Sequence, residues 1–409
     1  MNTEVNFDPS TLYLQDPYPL FKRLRDEDPV HHLVEPDVWV VTRYNDCVEV
    51  LRDATTFSSK LGMQKTFGET WDESGSDKEQ PFLGPDEFRV LIATDPPDHT
   101  RLRRLLSRPF RPKEIGMNEG WMRRLCDERF GELLVSNATG RADWVQDFTW
   151  PFPVLVIGEL LGIPTSMRDD FKRWSDALIG IFVGGSEIGD ARLTSLVEMF
   201  GFFGEVIAER LSDPGDDLIS ILVHRSEADD KPLTADELVM FCVLLLVAGN
   251  ETTTNLLSNA AKIFASNPTL LDGLYADPSL VSGVVEEVLR YDAPVQTIPR
   301  GTTAAIQIGD TTIPADAVVL AYMGAANRDE RHFVDPDRFD PRRKPTDHLG
   351  FGSGIHLCLG APVARLEARI ALEALSQRVT GVELIAPPVP TGGLLLRGSS
   401  SMPVRLVER

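Results

Sequence analysis

The spacing of apolar and polar positions divides the chain into a short β-containing start, a long helical middle and a mixed end. Val38-Trp39-Val40-Val41 predicts a strand, with a helix starting near Asn45-Asp46. Residues 60–92 are irregular and rich in Gly, Asp, Glu and Ser, which predicts a long loop of the kind that serves as a binding lid. From Asp95 to Arg290 the pattern is mostly helical. Residues 301–323 predict strands at Ile306-Gln307-Ile308 and Thr311-Thr312-Ile313, joined by a Gly309-Asp310 turn, and at Val318-Val319-Leu320. Residues 327–350 predict coil. Strong helix formers run from Ala361 to about Arg378, and the tail alternates Pro/Gly turns with short apolar strands. The expected fold class is mainly α with small β-sheets, in one domain over residues 1–409.

One helix dominates the middle. Thr234-Ala235-Asp236-Glu237 has the form of a capping box, and the apolar run Val239 to Gly249 follows it. The helix is expected over about 234–265, before Asn267-Pro268; that is ~30 residues, or roughly 45 Å. The apolar run itself is too short to cross a bilayer. In its continuation, Ala248-Gly249-Asn250-Glu251-Thr252-Thr253-Thr254, poor helix formers and a carboxylate interrupt the most apolar helix of the chain. Alone, that stretch reads equally well as a solvated turn of helix or as a functional site.

Composition narrows the classes. Of 409 residues, 42% are hydrophobic, enough for a large core. A net charge of −21 argues against coating nucleic acid or an anionic membrane. Residues Met1 to Asp8 lack a basic region followed by an apolar run, so no signal peptide is expected. Cys47, Cys126, Cys242 and Cys358 are too scattered for a zinc or iron–sulfur site or a disulfide framework. A cytoplasmic protein with no membrane or nucleic-acid partner is the expectation.

The most informative segment is Phe351-Gly352-Ser353-Gly354-Ile355-His356-Leu357-Cys358-Leu359-Gly360. Its glycines let backbone turn sharply and approach a flat ligand. Cys358 precedes a helix whose free N–H groups favour negative charge on sulfur, and such a thiolate is a strong donor to iron. The segment fits F-G-x-G-x-[HR]-x-C-x-G at every fixed position. With the central A-G-x-E-T-T stretch, it resembles the cytochrome P450 family of the soluble bacterial type, and the resemblance extends over essentially the whole chain.

That resemblance implies a cytochrome P450 fold, a single triangular domain holding haem b, with Cys358 as axial thiolate and metal ligand in loop 351–360. It implies a monooxygenase that uses dioxygen and two electrons to oxidise a small apolar or amphipathic molecule. Phe351, Gly352 and Gly360 would pack on the cofactor. Ala248 and Gly249 would leave room for dioxygen, Thr252 would hydrogen-bond the activated oxygen and Glu251 would relay protons. His99 and Arg103, at i, i+4 in Asp95-Pro96-Pro97-Asp98-His99, would bind haem propionates together with Arg300 and His356. Glu287 and Arg290 form a Glu-x-x-Arg pair, which the family joins to the arginine of a Pro-x-Arg-Phe segment, here Arg338. Leu245, Ala248, Val295, Ile298, Leu394, Leu395 and Phe182 are the expected substrate walls. A peroxide-driven peroxygenase and a non-catalytic haem sensor are the alternatives; the Glu251–Thr252 relay argues against the first.

Electrons must come from another protein, expected to be a ferredoxin with its reductase, serving a monomeric enzyme. Arg101, Arg103, Arg104, Arg108, Arg111, Lys113, Arg342, Arg343, Lys344 and Arg365 form the expected basic docking face on the cysteine side of the haem.

Overall fold

In the computed structural model the described residues are 16–67, 90–182, 189–227, 229–343, 347–391, 393 and 395–409. The first helices are α1 (Tyr18–Glu27), α2 (Tyr44–Arg52), α3 (Ser59–Phe67), α4 (Asp98–Leu106), α5 (Pro112–Gly116) and α6 (Glu119–Ala138). The middle contains α7 (Pro151–Leu161), α8 (Arg168–Phe182), α9 (Asp190–Ser212), α10 (Leu218–Glu227) and α11 (Ala235–Ser266). After it come α12 (Thr269–Ala276), α13 (Val281–Tyr291), α14 (Met323–Ala326) and α15 (Ala361–Arg378).

α11 realises its sequence signal in full. The Glu237 backbone N–H donates to the Thr234 hydroxyl (3.2 Å), and the Thr234 N–H donates to the Glu237 carboxylate (3.0 Å). The helix is long and apolar enough to cross a membrane, yet most of its apolar stretch is buried against α7, α9, α13 and α15. α7 is buried almost throughout, which its Pro-Phe-Pro-Val-Leu-Val-Ile sequence requires, and Gly162, at φ 70°, closes it in the left-handed conformation.

A five-stranded sheet joins the two ends of the chain. Its strands are β1 (Val30–Leu33), β2 (Val38–Val41), β3 (Phe57–Ser58), β4 (Ile298–Thr302) and β7 (Val318–Ala321), in the order β1-β2-β7-β4-β3. β2 and β7 pair in parallel, Val38 opposite Val318; the other neighbours are antiparallel. The expected hairpin is β5 (Ile306–Ile308) with β6 (Thr311–Ile313) about Gly309 at φ 56°. Tail strands β8 (Val379–Leu384), β9 (Val389–Pro390), β10 (Ser399–Ser401) and β11 (Val404–Glu408) pair as β8–β11 and β9–β10.

The expected 60–92 loop is corrected at both ends. Residues 59–67 form α3, and Leu91–Ala93 forms a 3-10 turn; residues 68–89 lie outside the described residues. Gly62 accounts for the misreading. A Cβ there would lie 2.4 Å from the Arg300 Cα, so this glycine lets α3 rest on β4 and does not mark a loop.

Candidate active site

A cavity of about 260 Å³ lies between α11, the Phe351–Gly360 loop, the first turns of α15 and β4. Its walls are apolar except for Ser353, Cys358 and two groups of polar side chains. Cys358 opens into it, and is the only one of the four cysteines that does. The others are buried packing residues; burial holds the Cys126 thiol up at about 12. The Cys358 surface faces the cavity, so its thiol is both accessible and desolvated. Burial raises its pKa, opposed by N–H groups of Gly360 and Ala361 at the start of α15, and by Arg103 and Arg365. The loop is fixed from within: the Cys358 N–H donates to the Phe351 carbonyl (2.9 Å), across Gly352 at φ 74°.

One polar group is cationic. Arg300 is 2% exposed, and among the described residues its guanidinium donates only to the Pro299 carbonyl (2.9 Å). Desolvation lowers its pKa to about 10. Arg103, on α4, lines the same end. His356 stacks on His99 with ring centroids 4.2 Å apart and shares a 2.9 Å hydrogen bond with the Ser59 hydroxyl. Burial, with Arg300 next in effect, lowers the His356 pKa to about 3, so it is neutral. His99 is buried and its Nε2 has no hydrogen-bond partner among the described residues. Asp95 is the acid of this corner, and it is occupied by the Ser58 hydroxyl and the Ser59 N–H (2.8 Å). His99 does not itself line the cavity but packs behind His356, and buried cations at the cavity end are a deficit of negative charge. A flat group carrying two carboxylates, with iron above a thiolate, fits it.

The other polar group lies on α11 and α15: Thr252, Thr253 and Glu367. The Thr252 hydroxyl donates to the Ala248 carbonyl (2.7 Å), one turn back. Gly249 lines the cavity, and a Cβ there would sit 2.6 Å from Ile157 Cδ1, so the glycine also lets α7 close against α11. Glu251 does not line the cavity. It faces α8, where burial, followed by the charge of Asp176, raises its pKa to about 7 against the opposing effect of Lys172 and a hydrogen bond with Asn255. Lys172 lies over the Trp150 ring (4.7 Å) and pairs with Asp176 (3.3 Å).

Of the expected substrate walls, Leu245, Ala248, Val295 and Ile298 line the cavity. Leu395 does not; its carbonyl accepts from the Gln296 N–H (2.8 Å). Leu394 and the Phe182 side chain lie outside the described residues.

Behind the loop, Glu287 and Arg290 are both fully buried and joined by two hydrogen bonds of 2.8 and 2.7 Å. The third member expected from the sequence is corrected. Arg338 is exposed and offers only its carbonyl, to Arg290 (3.3 Å) and Arg343 (3.1 Å). The guanidinium on Glu287 belongs to Arg343 (3.1 Å). A turn closed by the Arg343 N–H on the Asp340 carbonyl swings residue 343 inward, while the Asp340 N–H itself bonds Glu287 (2.9 Å).

This also redraws the basic face. Arg343 is committed to Glu287, Arg104 to Asp229, Arg101 to Glu237, and Arg365 to Glu286 by two bonds (2.7 and 2.9 Å). Lys344 lies outside the described residues. Arg108, Arg111, Lys113 and Arg342 are exposed without an ion pair among the described residues. Beside Cys358, Ile355 (37%) and Leu357 (47%) are exposed apolar side chains outside the cavity.

A family model described as cytochrome P450 matches residues 148–380. The chain belongs to the cytochrome P450 family. Cytochrome P450 107B1 of Saccharopolyspora erythraea is 38% identical over 96% of both chains. The solved P450 CYP109Q5 of Chondromyces apiculatus is 37% identical, with a TM-score of 0.84 over 98% of this chain and 97% of that one. CYP109E1 of Bacillus megaterium, solved in complex with testosterone, is 31% identical, with a TM-score of 0.83 over 98% and 99%. P450s of this family bind haem with a cysteine thiolate as axial ligand. They are monooxygenases that act on small organic molecules and draw electrons from redox partners.

Ser59, Asp95 and Glu367 were not singled out by sequence reasoning. Asp95 stands in the Asp-Pro-Pro segment that pointed to His99. Ser59 carried no signal, because its role depends on α3 lying across β4. Glu367 falls on the buried face of α15 with Val363, Leu366, Ile370 and Ala371, and an acid in that register was the available sign.

Proposed function

We propose that this P450 oxidises an apolar or amphipathic molecule seated against Leu245, Ala248, Val295 and Ile298. Electrons would come from a small acidic ferredoxin docking beside Cys358. The observation that carries this reading is the cavity itself: a lone accessible thiol on one side, an apolar wall opposite, and buried cations at one end. Bound haem would supply oxygen activation and the electron path. The chain's residues supply the setting. Cys358 would hold the iron; Arg103, Arg300, His99 and His356 would hold the propionates; the apolar walls would exclude water and orient the substrate. Glu251, at about 7, can both take a proton from solvent at the Lys172–Asp176 edge and release it toward Thr252 at neutral pH. That related CYP109E1 holds testosterone supports a substrate with a large apolar body.

The test has two parts. Reduced protein with carbon monoxide should show the strongly red-shifted absorption of a thiolate ligand, and Cys358→Ser should abolish it; survival of the shift would misassign the ligand. A panel of apolar and amphipathic compounds, titrated for the haem absorption change that follows water displacement, should identify binders, whose turnover with dioxygen and reductant is then measured. Turnover only with peroxide would favour a peroxygenase, and none at all a sensor. For the donor, Arg108→Glu combined with Arg342→Glu should slow ferredoxin-dependent reduction in a salt-sensitive way and leave dithionite reduction intact. Arg104 and Arg343 are unsuitable for this test because both are committed to internal pairs.

A further inference from the structure

Pro294, Val295 and Ile298 form one wall of the cavity, and they follow closely on the C-terminus of α13. The tail backs this wall. Residues 395–397 lie antiparallel against it: the Gln296 N–H donates to the Leu395 carbonyl (2.8 Å), the Arg397 N–H donates to the Pro294 carbonyl (2.8 Å), and Val295 pairs with Leu396. Two such short runs have too little pairing to fix their own place. What holds them lies behind the wall, at Asp292.

Asp292 is 8% exposed, and groups from three separate parts of the chain converge on its carboxylate. Arg397 Nε donates to Oδ1 (2.8 Å), the Tyr18 hydroxyl of α1 donates to the same oxygen (2.8 Å), and Lys262 Nζ of α11 lies 3.5 Å from Oδ2. Burial raises the Asp292 pKa, but the charges of Arg397 and Lys262, with these bonds, more than reverse the effect, so the group is ionised. The Asn259 amide of α11 completes the joint, donating both to the Asp292 carbonyl (2.8 Å) and to the Arg397 carbonyl (3.1 Å). At Gly398 the tail meets α11 so closely that a Cβ would lie 1.8 Å from Asn255 Oδ1. Neither Asp292 nor Arg397 lines the cavity.

We propose that Asp292 and Arg397 are a pair of positioning residues that set the place of the Pro294, Val295 and Ile298 wall relative to α11, and through it the fit of a bulky ligand. The proposal rests on the reading that this wall faces the substrate. A charged hydrogen bond from a guanidinium to a buried carboxylate has a narrow geometry. Because the Arg397 backbone is bonded to Pro294, a displaced Arg397 side chain carries the wall with it. Without the pair the wall is less well ordered before binding, and a bulky ligand must order it at a cost in affinity. A small ligand that never reaches the wall bears no such cost.

The test compares two iron ligands of shared chemistry. Imidazole binds haem iron through a ring nitrogen and is too small to press on the wall; clotrimazole binds through the same ring and carries three aryl groups that do. Their dissociation constants for the haem-loaded protein are read from the absorption change on iron coordination. No turnover is involved, so failure of the monooxygenase reading would leave the result intact. Asp292→Asn and Arg397→Gln should each lower the preference for clotrimazole over imidazole by about two- to tenfold, the range for residues that act on a ligand without touching it. The double variant should lose no more than the larger single loss, because the two act as one pair. All three should keep the thiolate carbon monoxide signature. A preference equal to or above wild type, whatever happens to thermal stability, would show the pair to be structural only. Additive losses would mean that the two residues act separately and would also overturn the proposal. If Asp292→Asn fails to retain haem, Arg397→Gln decides alone. If both fail, Tyr18→Phe, which removes one bond to the same carboxylate, decides: a lowered preference supports the proposal, and an unchanged one overturns it.

Discussion

Glu287 and Glu367 are two fully buried carboxyls on opposite sides of the same loop, and they are treated in opposite ways. Glu287 receives two bonds from Arg290, one from Arg343 and one from the Asp340 N–H. Glu367 receives one, from Thr253, and keeps an oxygen idle. The same division separates Arg290, with carbonyls of Asn327, Pro336 and Arg338 completing its set, from Arg300, whose guanidinium has its neighbour's carbonyl alone among the described residues. Saturated charge is scaffold: every lone pair and proton is spent inside the protein, and nothing remains for a ligand. Unsatisfied polarity, held in place by its surroundings, is where the molecule expects something from outside.

The sharpest way to break that comparison is to remove a saturated partner. Arg290→Ala strands Glu287 without its principal partner and should cost about 3–5 kcal/mol, enough to prevent folding or haem retention. A soluble variant with wild-type thermal unfolding would show the network to be dispensable. Next in size is Arg300→Met, whose effects should carry opposite signs. The haem-free protein should unfold at a higher temperature, because an unpaired buried charge is gone. Haem should be held about 10- to 100-fold less tightly, from the loss of a charged hydrogen bond worth roughly 1.5–3 kcal/mol. Weakening of both forms would mean that Arg300 is scaffold after all.

Arg343 and Arg338 provide a paired control. Arg343→Ala removes one of four bonds to Glu287 and should cost about 1.5–3 kcal/mol. Arg338→Ala leaves its carbonyl in place and should fall within about 0.5 kcal/mol of wild type. Equal losses in chemical unfolding would restore Arg338 to the network. An effect confined to a pH window concerns Glu251. Its folded pKa of about 7 lies above the ordinary 4.5, so its contribution to stability is fully present below about 4.5 and lost as pH rises through 7. Glu251→Gln should flatten that part of the stability–pH curve. Lys172→Met should move the loss to higher pH, because the charge that opposes the shift is removed; an unmoved curve would place Lys172 out of range.

What could be read along the chain follows the range of the interaction involved. The α11 cap, the cysteine turn, the Gly309 hairpin and the span of α15 depend on residues within a few positions of each other, and their signals are local. The identity of the third arginine is not local. It depends on a turn at Asp340–Arg343 that points one side chain inward and leaves Arg338 facing water, although both fit a basic residue after Asp337. Gly62 misled for a related reason: its missing side chain answers to β4, more than two hundred residues away. Glu367 was hidden in a run of good helix formers, where an acid ordinarily signifies a solvated face, and only the packing of α15 on α11 shows otherwise.

The parallel pairing of β2 with β7 has a consequence for how the protein comes to be made. Val38-Trp39-Val40-Val41 leaves the ribosome well before its partner Val318–Ala321, which follows nearly three hundred residues later. At ~5–20 residues per second, the strand waits on the order of tens of seconds with its edge unpaired. It is apolar and β-branched, the composition most prone to pair with another chain in the interval. β4, which carries Arg300, is built on β7, and Cys358 is synthesised later still. The haem pocket is therefore finished only after Cys358 has been made, so cofactor uptake must wait for that segment, and a shortage of haem would be felt by a chain that already holds every element from β1 to the cysteine loop.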